Sequence, residues 1–299
     1  VAMNTQILVA SPSREESTAD RWIRRQFQET SNAVNRAFDD HRFDLAAKHI
    51  YEFIWDEFCD WYLELCKPVL SSSDSTDAQK SGTQHCLLET LESILRLAHP
   101  LIPFMTEALW QKLPAEFRKG PSIMIAAYPD SIKFDSTADP ASGDIEWVKA
   151  VVGAVRNIRG EQDIAPSKRI TILLQAGDAE DLRRQQQFAL LLDALAKPEA
   201  MTWISPDAEP PPSAIQIVGA LKILVPLAGL IDKSAELERL DKEITKLDKE
   251  VQRVNGKLAN PAFLANAPPE VVDKERAKVA GYLKQKADFE IQKQRITAI

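Results

Sequence analysis

Phe43 to Pro68 reads FDLAAKHIYEFIWDEFCDWYLELCKP, and this stretch decides the fold. Phe43, Ala47, Ile50, Ile54, Phe58, Trp61 and Leu65 recur every three or four residues, the spacing of a helix that buries one face. Trp55 and Tyr62 stand seven apart beside that stripe, while Asp56, Glu57, Asp60 and Glu64 keep the opposite side wet. The spacing predicts a long core helix ending near Pro68, where the backbone N–H is lost. A partner precedes it from about Ser17 to Asp40, capped by Ser17 or Thr18, with Trp22, Ile23, Phe27, Val34 and Phe38 inward.

Beyond Pro68, the Ser/Asp-rich run 71–82 reads as a loop, followed by helices near Thr83–Ala98 and Pro103–Leu113. Ile123–Tyr128 reads as extended and Pro129–Gly143 as a linker. After a helix over Ile145–Arg159 come short β-rich runs at Ile170–Leu174, Met201–Ile204, Ala214–Val218 and Leu221–Val225. A helix over Ala179–Leu195 sits among them, and the mixture predicts a small α+β domain. Leu237, Leu240, Ile244, Leu247, Val251, Val254 and Leu258 then step 3,4,3,4,3,4, a heptad seam. A second helix carries Val272, Val279, Tyr282, Phe289 and Ile296 on one side. The two, broken by Asn260-Pro261 and Pro268-Pro269, predict a projecting antiparallel hairpin about 40 Å long. The expected class is mainly α: an antiparallel helical bundle (17–128) after an extension (1–16), a linker (129–143), a small α+β domain (144–230) and a coiled-coil hairpin (231–299).

Composition narrows the function. Net charge is −7 over 299 residues, but it divides into +3 over 233–299 and −10 over the remainder, so only the tail is basic. No run of eighteen apolar residues suggests a membrane span, and Val1–Arg14 lacks the pattern of a signal peptide. Cys59, Cys66 and Cys86 suit free thiols in a cytoplasmic setting. His41, His49, His85 and His99 show no metal-ligand spacing, and the ten glycines form no phosphate-binding loop.

The Phe43 segment, taken as a string, resembles the helical domain of valyl-tRNA synthetases. So do three further markers in order: Leu97–Glu107 (LAHPLIPFMTE), Val155–Arg159 with Ile164-Ala165-Pro166, and Leu224–Asp232 leading into the heptad helix. Neither catalytic signature of that family occurs. The resemblance therefore implies a tRNA-binding fragment without aminoacylation chemistry or cofactor of its own, ATP and magnesium being used by the parent enzyme. It implies valine tRNA and the enzyme's catalytic domain as partners, and the hairpin implies a monomer. Arg21, Arg24, Arg25, Arg42, Phe43 and Lys48 are the residues suited to an anticodon loop, since guanidinium groups fork onto phosphates and an exposed ring stacks on an unpaired base. The plain alternative is core packing for Phe43 and solvated faces for the arginines. Arg156, Arg159, Lys168 and Arg169 form a second basic set. They suit a tRNA stem, the catalytic core, or charge compensation at a helix end. On the arm, Lys249, Arg253, Lys257, Arg276, Lys278, Lys284 and Lys286 suit the tRNA elbow, against the alternative of an ordinary solvated coiled coil. A cytosolic scaffold that oligomerises through its heptads is the rival function.

Overall fold

The computed structural model describes residues 11, 13–118, 120–129, 141–228, 233–259 and 269–298. The expected extension and linker fall largely outside them. By its contacts the chain divides into two compact units. One comprises the described residues up to Asn157 with Ala176–Pro198 and Ile217–Ile223; the other comprises Ile158–Gln175, Glu199–Gln216 and the described part of Leu224–Ile299.

The first unit is the bundle. Helix α1 (Thr18–Asp39) starts at a capping box in which the Ser17 and Asp20 side chains serve each other's backbone N–H groups. Trp22, Ile23 and Val34 are buried as the spacing requires. A return helix follows in three pieces: α2 (Phe43–Glu52), a π-helical stretch Phe53–Tyr62, and α3 (Leu63–Ser71). Then come α4 (Asp77–Ala98) and α5 (Pro103–Trp110). Directions follow from the contacts. Asp20 meets Thr83 and Arg24 meets Glu89, while Val34 and Ala37 share a cluster with Leu97 and Ala98. Helices α1 and α4 therefore run parallel. The α2–α3 rod runs back between them, since Phe38 lies against Phe43, Phe27 against Phe53 and Tyr62 on Asp20.

The rod corrects the expected seam. Its buried positions are Ala46, Ile50, Phe53, Phe58, Tyr62, Leu65, Cys66 and Pro68, whereas Phe43 and Ala47 are exposed and Ile54 and Trp61 half-buried. The step from Phe53 to Phe58 is five residues, the first i→i+5 turn of the π-helical stretch. An α-helical continuation of the Ile50–Phe53 face would next have buried Glu57. Widening the turn leaves Glu57 facing Lys149 and brings Phe58 and Tyr62 inside. Helicity also runs three residues past Pro68, to Ser71. Helix α4 starts at Asp77 rather than Thr83, because Thr76 and Gln79 form a capping box inside the Ser-rich run. The piece expected to be extended over Ile123–Tyr128 opens instead as a short 3₁₀ turn, Ile123–Ile125, before the chain extends at Ala126.

Helix α6 (Ala141–Glu161) is assigned by sequence to the α+β domain, yet its first seventeen residues belong to the bundle's unit. Lys149, only 13% exposed at its side chain, explains the attachment. Its Nζ lies 2.8 Å from Glu57 and 3.0 Å from Glu146, and 5.0 and 5.8 Å from the Trp22 and Trp61 rings. The Trp22 indole N–H donates to the same Glu146 carboxylate at 3.2 Å. The helix expected over Ala179–Leu195 is two, α7 (Ala179–Gln187) and α8 (Ala189–Ala196), broken at Phe188. Asp144, buried in α6, accepts from Arg183 at 2.6 Å and Arg184 at 2.9 Å of α7.

The four expected strands are present as β1 (Ile170–Gln175), β2 (Pro198–Trp203), β3 (Ser213–Val218) and β4 (Leu221–Pro226), in the order β2-β1-β4-β3. Gly219, at φ +61°, makes the tight β3–β4 turn. The second unit also holds α9 (Lys233–Leu258) and α10 (Pro269–Ala298), packed on each other. Lys286 bonds Asp248 at 2.6 Å, and Lys293 bonds Asp241. Both partners shift by seven in opposite directions, so the pair is antiparallel. On the described seam Val254 is fully buried and Ile244, Leu247, Val251 and Leu258 partly so; Leu237 and Leu240 lie outside the described side chains. The fold is mainly α, as expected, and no helix among the described residues is long and apolar enough to cross a membrane.

Candidate nucleic-acid interface

The six residues read as one anticodon-facing set occupy two places. Arg21, Arg24 and Arg25 lie in the first two turns of α1, and Arg42 follows its last, so about 30 Å of helix separates them at 1.5 Å per residue. The bundle does not bring them together. At the first place Arg24 is a clamp: one terminal nitrogen stands 2.6 Å from Glu89 of α4 and 3.1 Å from Glu16. Arg25 pairs with Glu29 one turn on at 3.0 Å, and Arg21 reaches the Glu16 carbonyl and Thr18 Oγ1 at 3.4 Å.

The second place is a corner built by backbone hydrogen bonds. The N–H of Arg42 donates to the Ala37 carbonyl at 2.7 Å, and that of His41 to the Phe38 carbonyl at 3.0 Å, with His41 at φ +57°. This is a Schellman motif with histidine at the left-handed position, and it fixes where Arg42 and Phe43 leave α1. Phe43 is not core. It is 55% exposed, resting on Phe38 at 5.9 Å between ring centroids and edge-on to His41 at 6.5 Å. The Arg42 guanidinium forks onto Asp44 at 2.9 and 2.7 Å, and that hydrogen bonding holds the Asp44 carboxyl down to about 2. Lys48, one turn further, stands 3.6 Å from Glu52. All these ion pairs are exposed, and such pairs contribute at most about 1 kcal/mol. An incoming phosphate therefore displaces them at small cost.

The second basic set also separates. Arg156 is exposed and lies over the Trp61 ring at 5.3 Å. Arg159 is buried and donates to the carbonyls of Ala165 at 3.1 Å and Lys168 at 2.8 Å, and burial draws its pKa below the ordinary value. It braces the loop after α6 and is removed from the surface set, a correction of the sequence reading. Lys168 and Arg169 are exposed.

On the arm, Arg253 pairs with Glu250 at 2.7 Å and Lys278 with Glu275 at 2.7 Å, both within one helix turn. Lys286 ties the two helices together through Asp248. Lys249, Lys257, Arg276 and Lys284 are exposed. Lys249 shares a groove of about 400 Å³ along α9 with Asp241, Lys242, Thr245 and Lys246. Lys242 and Lys246 extend the arm's basic face and were not singled out from the sequence. Their four-residue spacing to each other was the available signal.

Comparison with known families gives two matches along the chain. The model of the anticodon-binding domain of tRNA ligase matches residues 20–174, just over half of the chain. The model of the valyl-tRNA synthetase tRNA-binding arm matches residues 232–297, the α9–α10 hairpin. The binding partner of both is tRNA. With the exposed aromatic corner in the first match and the antiparallel arm in the second, the chain belongs to the anticodon-binding family of tRNA ligases and carries the tRNA-binding portion of a valyl-tRNA synthetase.

Proposed function

We propose that the Arg42–Phe43 corner takes the anticodon loop of valine tRNA while the arm holds the tRNA elbow. The observation that carries this is Phe43, an aromatic ring more than half exposed on a corner fixed by backbone hydrogen bonds, beside an exposed guanidinium. A base that stacks on such a ring meets a surface already in place, with little ordering left to do. In this reading Arg42 and Lys48 supply phosphate contacts. Lys249, Lys257, Arg276 and Lys284 do the same on the arm, and the clamp Arg24 positions α1 without touching RNA.

The tRNA so held presents its acceptor end to the catalytic domain of the same enzyme, which uses ATP and magnesium in the cytoplasm. A monomer fits this role, because α9 and α10 fill each other's seam within one chain. The test is a salt-titrated binding assay of the chain with valine tRNA and a non-cognate tRNA. Phe43→Ala should weaken cognate binding about tenfold without changing the salt slope, stacking being worth about 1–3 kcal/mol per base. Lys249→Ala with Lys284→Ala should flatten that slope by roughly 0.7–0.9 per phosphate lost. Equal binding of both tRNAs, unaltered by either change, would refute the assignment.

A further inference from the structure

Two large aromatic side chains on the same rod remain unused by the core and by the corner. Tyr51 is 64% exposed and Trp55 55% exposed, one turn apart where α2 passes into the π-helical stretch. Their rings are parallel within 3°, with centroids 6.4 Å apart. Such rings normally bury most of their area, so leaving both in water forgoes stabilisation that folding alone would favour.

We propose that Tyr51 and Trp55 form a second stacking platform for an unpaired nucleobase of the tRNA that Phe43 engages. The inference rests on the corner reading above and extends it along the rod. Tyr51 lies eight residues beyond Phe43, about 12 Å, or about three to four nucleotides at 3.4 Å each. Lys48 stands between them, in an exposed 3.6 Å pair with Glu52, and so continues the same surface. Below the platform, Asp56 is exposed and Glu57 is bound to Lys149. The Asp56 carboxylate repels a phosphate backbone while the Glu57 charge is balanced by Lys149, so the platform meets a base face rather than the chain's phosphates. The wide π turn contributes too, since it sets which of the aromatic residues after Phe53 face inward.

The experiment uses the whole chain and fluorescently labelled valine tRNA, with Trp55→Ala, Tyr51→Ala, Trp55→Phe and Phe43→Ala compared over a salt series. Trp55→Ala and Tyr51→Ala should each weaken binding about tenfold at an unchanged salt slope, because stacking releases no counterions. Trp55→Phe should recover most of the loss. It should also lack part of the tryptophan quenching that tRNA produces in the parent chain. Urea midpoints matching the parent's show that the exposed positions leave folding intact. If Phe43→Ala weakens binding while the Tyr51 and Trp55 variants bind like the parent, the platform is refuted and the corner stands. If none of the three weakens binding, both are refuted. A loss accompanied by a changed salt slope means an ionic contact and also overturns the proposal.

Discussion

Replacing Gly82 by alanine sets two effects of opposite sign against each other. Gly82 sits inside α4, where alanine is favoured by about 1 kcal/mol on helix propensity. A Cβ at this position, however, would stand 2.0 Å from the Glu15 carbonyl oxygen and 2.7 Å from its carbon. Both are backbone atoms, so the segment entering α1 must move by more than an ångström. Moving it breaks the hydrogen bond from Glu15 N to the Ala78 carbonyl at 3.1 Å, worth about 0.5–1.5 kcal/mol. It also strains the Ser17 capping box, worth about 0.5–2 kcal/mol, and the partly exposed Arg24–Glu16 pair, worth about 1 kcal/mol. The losses exceed the propensity gain, and Gly82→Ala should lower stability by about 1–3 kcal/mol. Gly153, inside α6 with nothing within 4 Å of its missing Cβ, is the control: Gly153→Ala should raise stability by about 0.5–1 kcal/mol. Urea unfolding followed by tryptophan fluorescence reads both. A Gly82→Ala chain more stable than its parent would show that the segment before α1 does not lie across α4, and would refute the reasoning.

Two more perturbations follow from the same packing. His41→Gly relieves the left-handed strain at φ +57° and should stabilise the chain by about 0.5–1 kcal/mol in urea melts; a loss would mean that the histidine side chain supports the corner. The Cys86 thiol is pushed up to about 12 by burial and by nearby Asp20, so it stays protonated in the fold while the unfolded chain ionises from its ordinary value of about 9. Stability that is fully present below pH 9 should therefore fall as pH rises from 9 toward 12, by about 1.4 kcal/mol per unit for this thiol. Cys86→Ala should flatten that part of the pH profile, whatever its effect at neutral pH.

Much of the architecture is legible because it is local. Ser17 with Asp20 announces the start of α1, the 3,4 steps announce the arm, and the four β-rich runs fall on the four strands. The seam of the Phe43 rod is not legible under a 3.6-residue period, since a single step of five shifts the phase of everything after Phe53. Thr76 and Gln79 did carry a helix start, but the surrounding Ser/Asp composition masks it. The Lys149 cage joins residues more than ninety positions apart, and no short-range pattern reports such a contact. The arginines of the interface illustrate the limit most directly. Arg21–Arg25 and Arg42 are close in sequence, yet the helix between them fixes a separation of about 30 Å, which the predicted length of α1 already contained. Arg159 likewise follows Val155 by four residues on the buried Val148–Ile158 face of α6, a spacing that marked it as inward.

The π-helical stretch also determines how this rod tolerates changes in length. A π-helix winds more residues into each turn than an α-helix does, so deleting one residue between Phe53 and Phe58 moves the stretch toward ordinary pitch. Tyr62 would then keep its place on Asp20, and Leu65 and Cys66 theirs in the core. An added residue has no such outlet: it turns the distal half by about 100° and carries Tyr62 away from Asp20. The rod is thus asymmetric toward mutation, forgiving of shortening and hostile to lengthening. That asymmetry marks Phe53–Phe58 as the place where a change in the rod's length meets least resistance.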